Sequence, residues 1–303
     1  MLAMKGQRVI TQRSCRDAAD YQAIRQLLQE NYAQQRAAYC TIGNLDWWCA
    51  GNKIGMQNAQ RWFENEQLVG MAWPSKNQVD LIPRVGRSDI DAMMLDWSER
   101  SVLANHLGDQ PVTHDAWSFT GDQARITLLH SRGYQRATVA LSFRGRSLAE
   151  DLPSKPLVSG YAVRYVHGPA EYQERVDLHR DAFAPSRMTM RYYTTAIALP
   201  TYRQDLDLVV AAPDGSLAAF CIVWFDPANR MGVFEPVGCH SAHRRRGLAS
   251  AVMIEGMQRL RQLGAVSAHV SSVYGSDTEA LYEAPGFAVI DVNQCYSRNL
   301  VLA

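Results

Sequence analysis

The apolar positions of the chain change their period from segment to segment, and each change marks an element. In the C-terminal half, Tyr161 to Tyr165 reads as a strand and Ala170 to Ala184 as a helix. Leu206 to Ala211 and Leu217 to Phe225 are apolar runs on either side of Pro213-Asp214-Gly215. The glycine of that turn tolerates a positive φ, so the two runs predict a hairpin. Gly232 to Cys239 reads as a further strand. Ala249, Val252, Met253, Gly256, Leu260 and Leu263 then recur at helical spacing, and Gly264 supplies a stop. Val266 to Val273 is extended again, Thr278 to Ala284 is helical, and a last strand runs towards Leu300. A hairpin meander interrupted by a helical crossover predicts a mixed sheet rather than a purely parallel one.

The same succession is written earlier in the chain. Gly133-Tyr134 closes a helical stretch, Arg125 to Ser131, and opens a strand, Thr138 to Phe143. Gly286-Phe287 stands in the same place 153 residues later (286 − 133). Leu81-Ile82-Pro83 and Phe234-Glu235-Pro236 keep that interval, since 236 − 83 is also 153. Between these landmarks each half carries an amphipathic helix, Ser88 to Val102 and Ala249 to Leu263. Equal spacing at both ends points to a duplication. The polar, proline-punctuated stretch Ala149 to Pro156 is then the linker between domains at 1–150 and 158–303. The expected fold class is α/β (α+β): two tandem domains, each ordered β-α-α-β-β-β-α-β-α-β, with a mixed, mostly antiparallel sheet flanked by helices.

Composition narrows the partners. The 303 residues hold 31 basic and 30 acidic side chains, a net charge of +1. That balance argues against nucleic acid or an anionic membrane as main partner. No apolar run reaches the roughly 18 residues of a membrane span, and Met1 to Arg16 lacks the apolar core of a secretory signal. Cys15, Cys40, Cys49, Cys221, Cys239 and Cys295 show neither CxxC pairing nor metal-ligand spacing. The expectation is a reduced, cytoplasmic protein with no metal.

Chemistry concentrates in Val237-Gly238-Cys239-His240-Ser241-Ala242-His243-Arg244-Arg245-Arg246-Gly247-Leu248-Ala249, which joins a strand to a helix. The N–H groups at a helix start point outward, and the helix dipole favours negative charge there. Gly247 admits a ligand close to the backbone, and arginines add charge-assisted bonds to phosphate oxygens. A pyrophosphate meets those requirements. The chain has no GxGxxG after a strand and no GxxxxGK[ST], which counts against dinucleotides and nucleoside triphosphates.

A second motif follows in order. Arg244, Gly247 and Ala249 fit [Q/R]xxGx[G/A], and Leu281, Tyr282, Glu283, Gly286 and Phe287 fit a helix with the pattern LYExxGF. With the element order, this pair resembles the GNAT superfamily of N-acetyltransferases from about Tyr161 onward. The duplicated layout is similar to tandem GNAT proteins, of which mycothiol synthase is one type. The resemblance implies acetyl-CoA as acyl donor and an amine that attacks the thioester directly. It places the donor in a splay beside Val237, Gly238 and Cys239, whose backbone binds the pantetheine and polarises the thioester carbonyl. The N–H groups from Arg244, Arg245, Arg246, Gly247 and Leu248 to Ala249 would hold the pyrophosphate. Tyr282 takes the place of the general acid, since a phenol can give a proton to a developing thiolate. The family's asparagine six residues before the leucine of LYExxGF is replaced by Gly275, with Ser276 or Asp277 as the substitute contact. Pro285 stands inside that motif, where it ends the helix.

The general base is the remaining role. Glu235 lies on the strand before the thioester site, and alternation would put it on one face with Val233 and Val237. His240 and His243 flank the loop and more often order such a loop than act. The N-terminal counterpart, Arg84-Val85-Gly86-Arg87-Ser88-Asp89-Ile90-Asp91, lacks the first motif, and Asp89 and Asp91 would repel a pyrophosphate. Leu129 stands where Tyr282 does, so the fold is expected twice and the chemistry once. Trp47, Trp48, Trp62 and Trp73 read as core. The acceptor, a small-molecule amine, is expected along Asp181 to Tyr202, with Pro185, Arg187, Met190, Tyr192 and Tyr193. An aminoacyl or other acyl transferase, and a non-catalytic acyl-CoA-binding regulator, are the alternatives.

Overall fold

The expected order of elements occurs in both halves. The computed structural model describes residues 9–35, 38, 40–51, 56–106, 110–154, 156–276 and 278–301. The first half runs β1 (Ile10–Ser14), α1 (Ala18–Gln35), α2 (Ile42–Ala50), β2 (Gln60–Glu64), β3 (Gln67–Ser75), β4 (Gln78–Pro83), α3 (Asp91–Asn105), β5 (Val112–Phe119), α4 (Gln123–Ser131) and β6 (Gln135–Ser147). The second repeats it as β7 (Ala162–Tyr165), α5 (Tyr172–Ala182), α6 (Met190–Ile197), β8 (Asp207–Ala211), β9 (Leu217–Asp226), β10 (Met231–Cys239), α7 (Leu248–Gln262), β11 (Ser267–Val273), α8 (Glu279–Glu283) and β12 (Ala288–Leu300).

The repeat extends to individual hydrogen bonds. Tyr134 N–H donates to Leu129 O and Gly133 N–H to His130 O, both at 3.0 Å. At the same interval, Phe287 N–H donates to Tyr282 O at 3.0 Å and Gly286 N–H to Glu283 O at 2.8 Å. Gly133 and Gly286 have φ of +81° and +90°, which glycine adopts without a Cβ penalty, so both helices close alike.

The chain divides into two compact units that differ from 1–150 and 158–303. One contains Met1–Ala38, Ile54–Ala140 and Asn293–Ala303; the other contains Tyr39–Lys53 and Leu141–Val292. Two features cause the difference. Helix α2 packs with α6, β9 and β10, and so belongs to the second unit. The last strands are also exchanged. In the first unit β5 pairs antiparallel with Asn293 to Leu300 of β12. In the second, β11 pairs antiparallel with Leu141 to Ser147 of β6. Strand pairing is satisfied by either copy of a duplicated strand, and periodicity alone does not say which copy is used.

Within the first unit the strand order is β1-β2-β3-β4-β5-β12, antiparallel except for a short parallel stretch of β4 beside β5. Its core holds Trp62, Val69, Met94, Leu95, Leu129 and Tyr134. Trp73 is fully buried as well, its indole N–H donating to Asp80 at 2.8 Å. The second unit is ordered β6-β11-β10-β9-β8-β7, and only β10 with β11 is parallel. Strand β9 is buried along nearly its whole length, which explains its almost unbroken apolar sequence. Val252, Met253, Met257 and Leu260 of α7 join Cys221, Val223 and Phe234 in the core. A Cβ on Gly256 would lie 2.7 Å from the Phe234 ring, so this mid-helix glycine makes room for that ring. The ring in turn meets Phe287 edge-on at 5.8 Å, tying β10 to the end of α8.

Among the described residues three histidines do not easily take a proton: His179 of the second unit, which burial and then the Arg175 charge push down to about 3, and one buried ring in each unit. Burial pushes His114 of the first unit and His269 of the second down to about 4. His114 lies between Ser98 Oγ, 2.7 Å from Nε2, and the Tyr134 hydroxyl, 2.6 Å from Nδ1. His269 stacks on Phe143 at 5.3 Å. An unfolded histidine titrates near 6.5, so between about 6.5 and 4 the unfolded chain binds protons that the folded one refuses. The resulting stability is complete above pH 6.5 and is lost as pH falls towards 4, at up to about 1.4 kcal/mol per pH unit for each histidine. Urea unfolding followed from pH 7 to pH 5 is expected to show this decline. His269→Phe, which keeps an aromatic stack, should remove one proton's share of the slope.

Candidate active site

Strand β10 carries the geometry of the site. It lies parallel to β11 at Met231↔Ser267, Gly232↔Ala268 and Val233↔His269, and among the described residues it has no β11 partner beyond these. Strand β11 continues along β6 as far as Val273↔Leu141, so β10 and β11 part. At the point of parting β10 bulges: Phe234 pairs with Val223 and Val237 with Cys221, leaving Glu235 and Pro236 opposite the single residue Ile222. Past the bulge His240 N–H donates to Ala218 O at 2.9 Å. Antiparallel alternation then gives Gly238 to β9 as well, and turns the N–H and C=O of Val237 and Cys239 away from β9, towards the opening.

The bulge also corrects a sequence expectation. Simple alternation put Val233, Glu235 and Val237 on one face. The extra residue reverses the phase, so Phe234 and Val237 both enter the core beneath α7. Gly238 has a packing reason: a Cβ there would lie 2.6 Å from the Phe220 ring and 2.9 Å from Ala182 Cβ.

The loop after β10 is built on side-chain braces. Asp181 accepts from Ser241 N–H at 2.5 Å and from Ser241 Oγ at 2.8 Å, and these bonds hold its carboxyl below the usual range. His240 Nδ1 accepts from Ala242 N–H at 3.1 Å, and His243 Nδ1 is 2.9 Å from the Tyr161 hydroxyl. Both histidines therefore order the loop. Arg245 and Gly247 take left-handed φ of +62° and +75°, and Gly247 is the N-cap of α7. The N–H groups of Leu248, Ala249 and Ser250 are in the first turn, where an α-helix offers no i−4 carbonyl. Arg244, Arg245 and Arg246 are exposed beside them, with Arg244 also donating to Ala182 O at 3.2 Å. This donor set fits a diphosphate.

Glu235 lies at the bulge, near enough for its charge to act on the Tyr282 phenol. Trp48 Nε1 donates to Glu235 Oε1 at 2.8 Å, and Asn44 Nδ2 donates to Oε2. The amide of Asn44 is oriented by Thr41, whose N–H donates to Asn44 Oδ1 at 3.0 Å in the capping box of α2. Trp224 Nε1 donates to the Glu235 carbonyl at 2.5 Å. Tyr282 is buried to 9% exposure, and its phenol is pushed up to about 12 by burial and then by the nearby Glu235 charge, with Arg144 opposing. It stays protonated through neutral pH and is able to donate.

Other expected residues are placed differently. Ser276 Oγ donates to Val273 O at 2.8 Å and lies 2.6 Å from Thr278 Oγ1, so it braces its own turn; Asp277 lies outside the described residues. Helix α8 ends at Glu283, before Pro285. Tyr193 donates to the buried Asp207 at 2.6 Å and is packed rather than presented, whereas the Tyr192 ring lies tilted against Trp47 at 4.7 Å and its hydroxyl donates to Trp47 O at 3.0 Å. In the first unit Asp91 is buried against Arg125 at 2.9 Å, and Asp89 pairs with Arg87 at 2.8 Å. That loop is tied by its own ion pairs, so its carboxylates are partnered rather than bare. Asn44 and Trp48 went unrecognised as neighbours of Glu235 because α2 lies about 190 residues away in sequence, and the only local signal was the T-x-x-N cap.

Residues 172–287 match the Acetyltransferase (GNAT) family. The chain is similar in fold to a GCN5-related N-acetyltransferase from Sphaerobacter thermophilus, at 15% identity and TM-score 0.68, covering 97% of this chain and 96% of that one. It is similar also to a tandem GNAT protein from the clavulanic acid biosynthesis pathway, at 15% identity and TM-score 0.66, covering 98% and 100%. A GNAT-family acetyltransferase from Colwellia psychrerythraea gives 9% identity and TM-score 0.63, covering 96% and 99%. No curated protein matches the chain by sequence.

The clamp on Glu235 has an energetic consequence. Trp48→Phe keeps an aromatic ring and removes one bond to a part-exposed carboxylate, an expected loss of about 1–2 kcal/mol in urea unfolding. The loss should shrink in a Glu235→Gln background, because the pair is then already uncharged.

Proposed function

We propose that the second unit is an acetyl-CoA-dependent N-acyltransferase acting on an amine of a small molecule. The observation that carries this reading is the parting of β10 from β11, which turns the backbone of Val237 and Cys239 outward and leads directly into the donor-rich start of α7. The GNAT match covers this segment, and the tandem layout agrees with the similar solved structures.

Bound there, acetyl-CoA would supply an activated acyl carbonyl. The N–H groups and arginines from Arg244 to Ala249 hold its diphosphate, and the outward backbone of Val237 and Cys239 aligns the pantetheine arm. The amine nitrogen forms a bond to the carbonyl carbon as the carbon–sulfur bond breaks. The proton lost by the amine passes to Glu235, directly or through water, and Tyr282 gives a proton to the departing thiolate. The two transfers balance, since the proton held by Glu235 restores the phenol through solvent. Glu235, fixed by Asn44 and Trp48, is the base in this reading. The first unit, with its counterpart loop tied by ion pairs and Leu129 in place of a tyrosine, is the member of the tandem that does not bind the donor.

Two measurements test the proposal. Equilibrium dialysis is expected to give one coenzyme A per chain, and Gly247→Glu to abolish it while the protein stays folded; unchanged affinity in that variant, or two comparable sites, would overturn the assignment. Tyr282→Phe is expected to lower kcat for thiol release by roughly ten- to a thousand-fold across a panel of amines, with little change in KM for acetyl-CoA. Wild-type kcat would return Tyr282 to a packing role.

A further inference from the structure

Helix α8, which carries Tyr282, has five residues, and its N-cap Thr278 makes no side-chain capping bond. Such a helix is not stable through its own hydrogen bonds. Its support comes from β6. Ser142, Arg144 and Arg146 alternate along that strand and so share one face. Ser142 Oγ donates to Glu279 at 2.6 Å, at the start of α8. Arg144 spans the helix: Nη2 is 3.1 Å from Glu279 and 3.7 Å from Glu283, while Nη1 donates to Phe287 O at 3.4 Å. Arg146 donates to Gly286 O at 3.2 Å and lies over that glycine, where a Cβ would fall 1.6 Å from its Nη1. The three side chains grip α8 from its first residue to the turn after its last.

We propose that Arg144, with Ser142 and Arg146 beside it, positions Tyr282 towards the leaving thiolate and holds a fixed positive charge behind it. This inference rests on the reading of Tyr282 as proton donor. Holding α8 calls for hydrogen bonds from β6, but not for a full positive charge at this place. Arg144 is 2% exposed, and its Nε has no partner among the described residues. Burying a guanidinium is costly, and apolar replacements of buried ionic groups are often neutral or stabilising. The charge has a use where negative charge develops: when the phenol gives up its proton, a nearby cation favours the phenolate and the anionic leaving group. Glu235 from β10 acts in the opposite sense, and Glu279 and Glu283 lie on the helix itself.

The test is a double-mutant cycle with Arg144→Met, which keeps length and loses both charge and contacts. Coenzyme A affinity by calorimetry should stay within about threefold while thiol release falls by about ten- to a hundred-fold, with no further loss when Arg144→Met is added to Tyr282→Phe. The same loss in both backgrounds overturns the inference and leaves Tyr282 as the acid. An unchanged rate in Tyr282→Phe alone removes that role, and the inference with it. A second readout needs no acceptor: 3-fluorotyrosine placed at position 282 and followed by fluorine NMR. Its ionisation midpoint should move to higher pH in Arg144→Met, and an unmoved midpoint overturns the proposal. If Arg144→Met does not fold, Arg144→Lys serves. It should hold the midpoint and still lose rate, because the charge remains without the fork; a wild-type rate in this variant overturns the positioning role.

Discussion

Strand β10 begins as an ordinary member of a sheet, bonded on one side to β9 and on the other to β11. After three parallel pairs it keeps only β9, and the bulge at Glu235-Pro236 inserts one residue where the ladder divides. Pro236 has no N–H to give, so the ladder weakens there in any case. The rest of the candidate site follows from this break. The freed edge presents backbone groups of Val237 and Cys239, the phase change sends Val237 into the core, and Glu235 is left where α2 can hold it. The end of the strand then delivers the chain to the start of α7, where first-turn N–H groups and three exposed arginines gather.

The second unit is assembled from more than the second half of the chain. Helix α2 supplies Asn44 and Trp48 to one side of the site, and β6 supplies Ser142, Arg144 and Arg146 to α8 on another. A cut at the linker would therefore take α2 and the end of β6 away from the second unit. The arrangement also changes the meaning of the duplication. The copies share an order of elements and a set of helix-end hydrogen bonds, yet they have exchanged their last strands.

Charge is handled oppositely in the two copies. In the second unit the arginines after β10 are exposed, and Asp181 is occupied with the backbone of Ser241. In the first, Arg125 is committed to Asp91 and Arg87 to Asp89 and Glu64, which makes the equivalent corner part of the packing. The segment after Asp181 is similarly divided. Tyr193 and Tyr202 close over the buried Arg175–Asp207 pair, while Tyr192 lies against Trp47.

The sequence by itself determined what depends on short range: the element order of each half, the repeat interval, the hairpin at Pro213-Asp214-Gly215, and the glycine-capped start of α7. These rest on periodicity and on φ preferences, which neighbouring residues impose. The two motifs were legible for the same reason, since each lies within one strand-loop-helix or helix-turn segment. Tertiary structure alone decided which copy of the last strand each sheet would take, because identical hydrogen-bonding edges accept either. It also decided the phase of β10, since a bulge depends on pairing and not on local preference. The neighbours of Glu235 and Tyr282 come from Asn44, Trp48 and Arg144, residues that only long-range packing brings to them. A buried arginine and a tryptophan N–H acquire chemical meaning from what they touch, and no spacing in the chain records it.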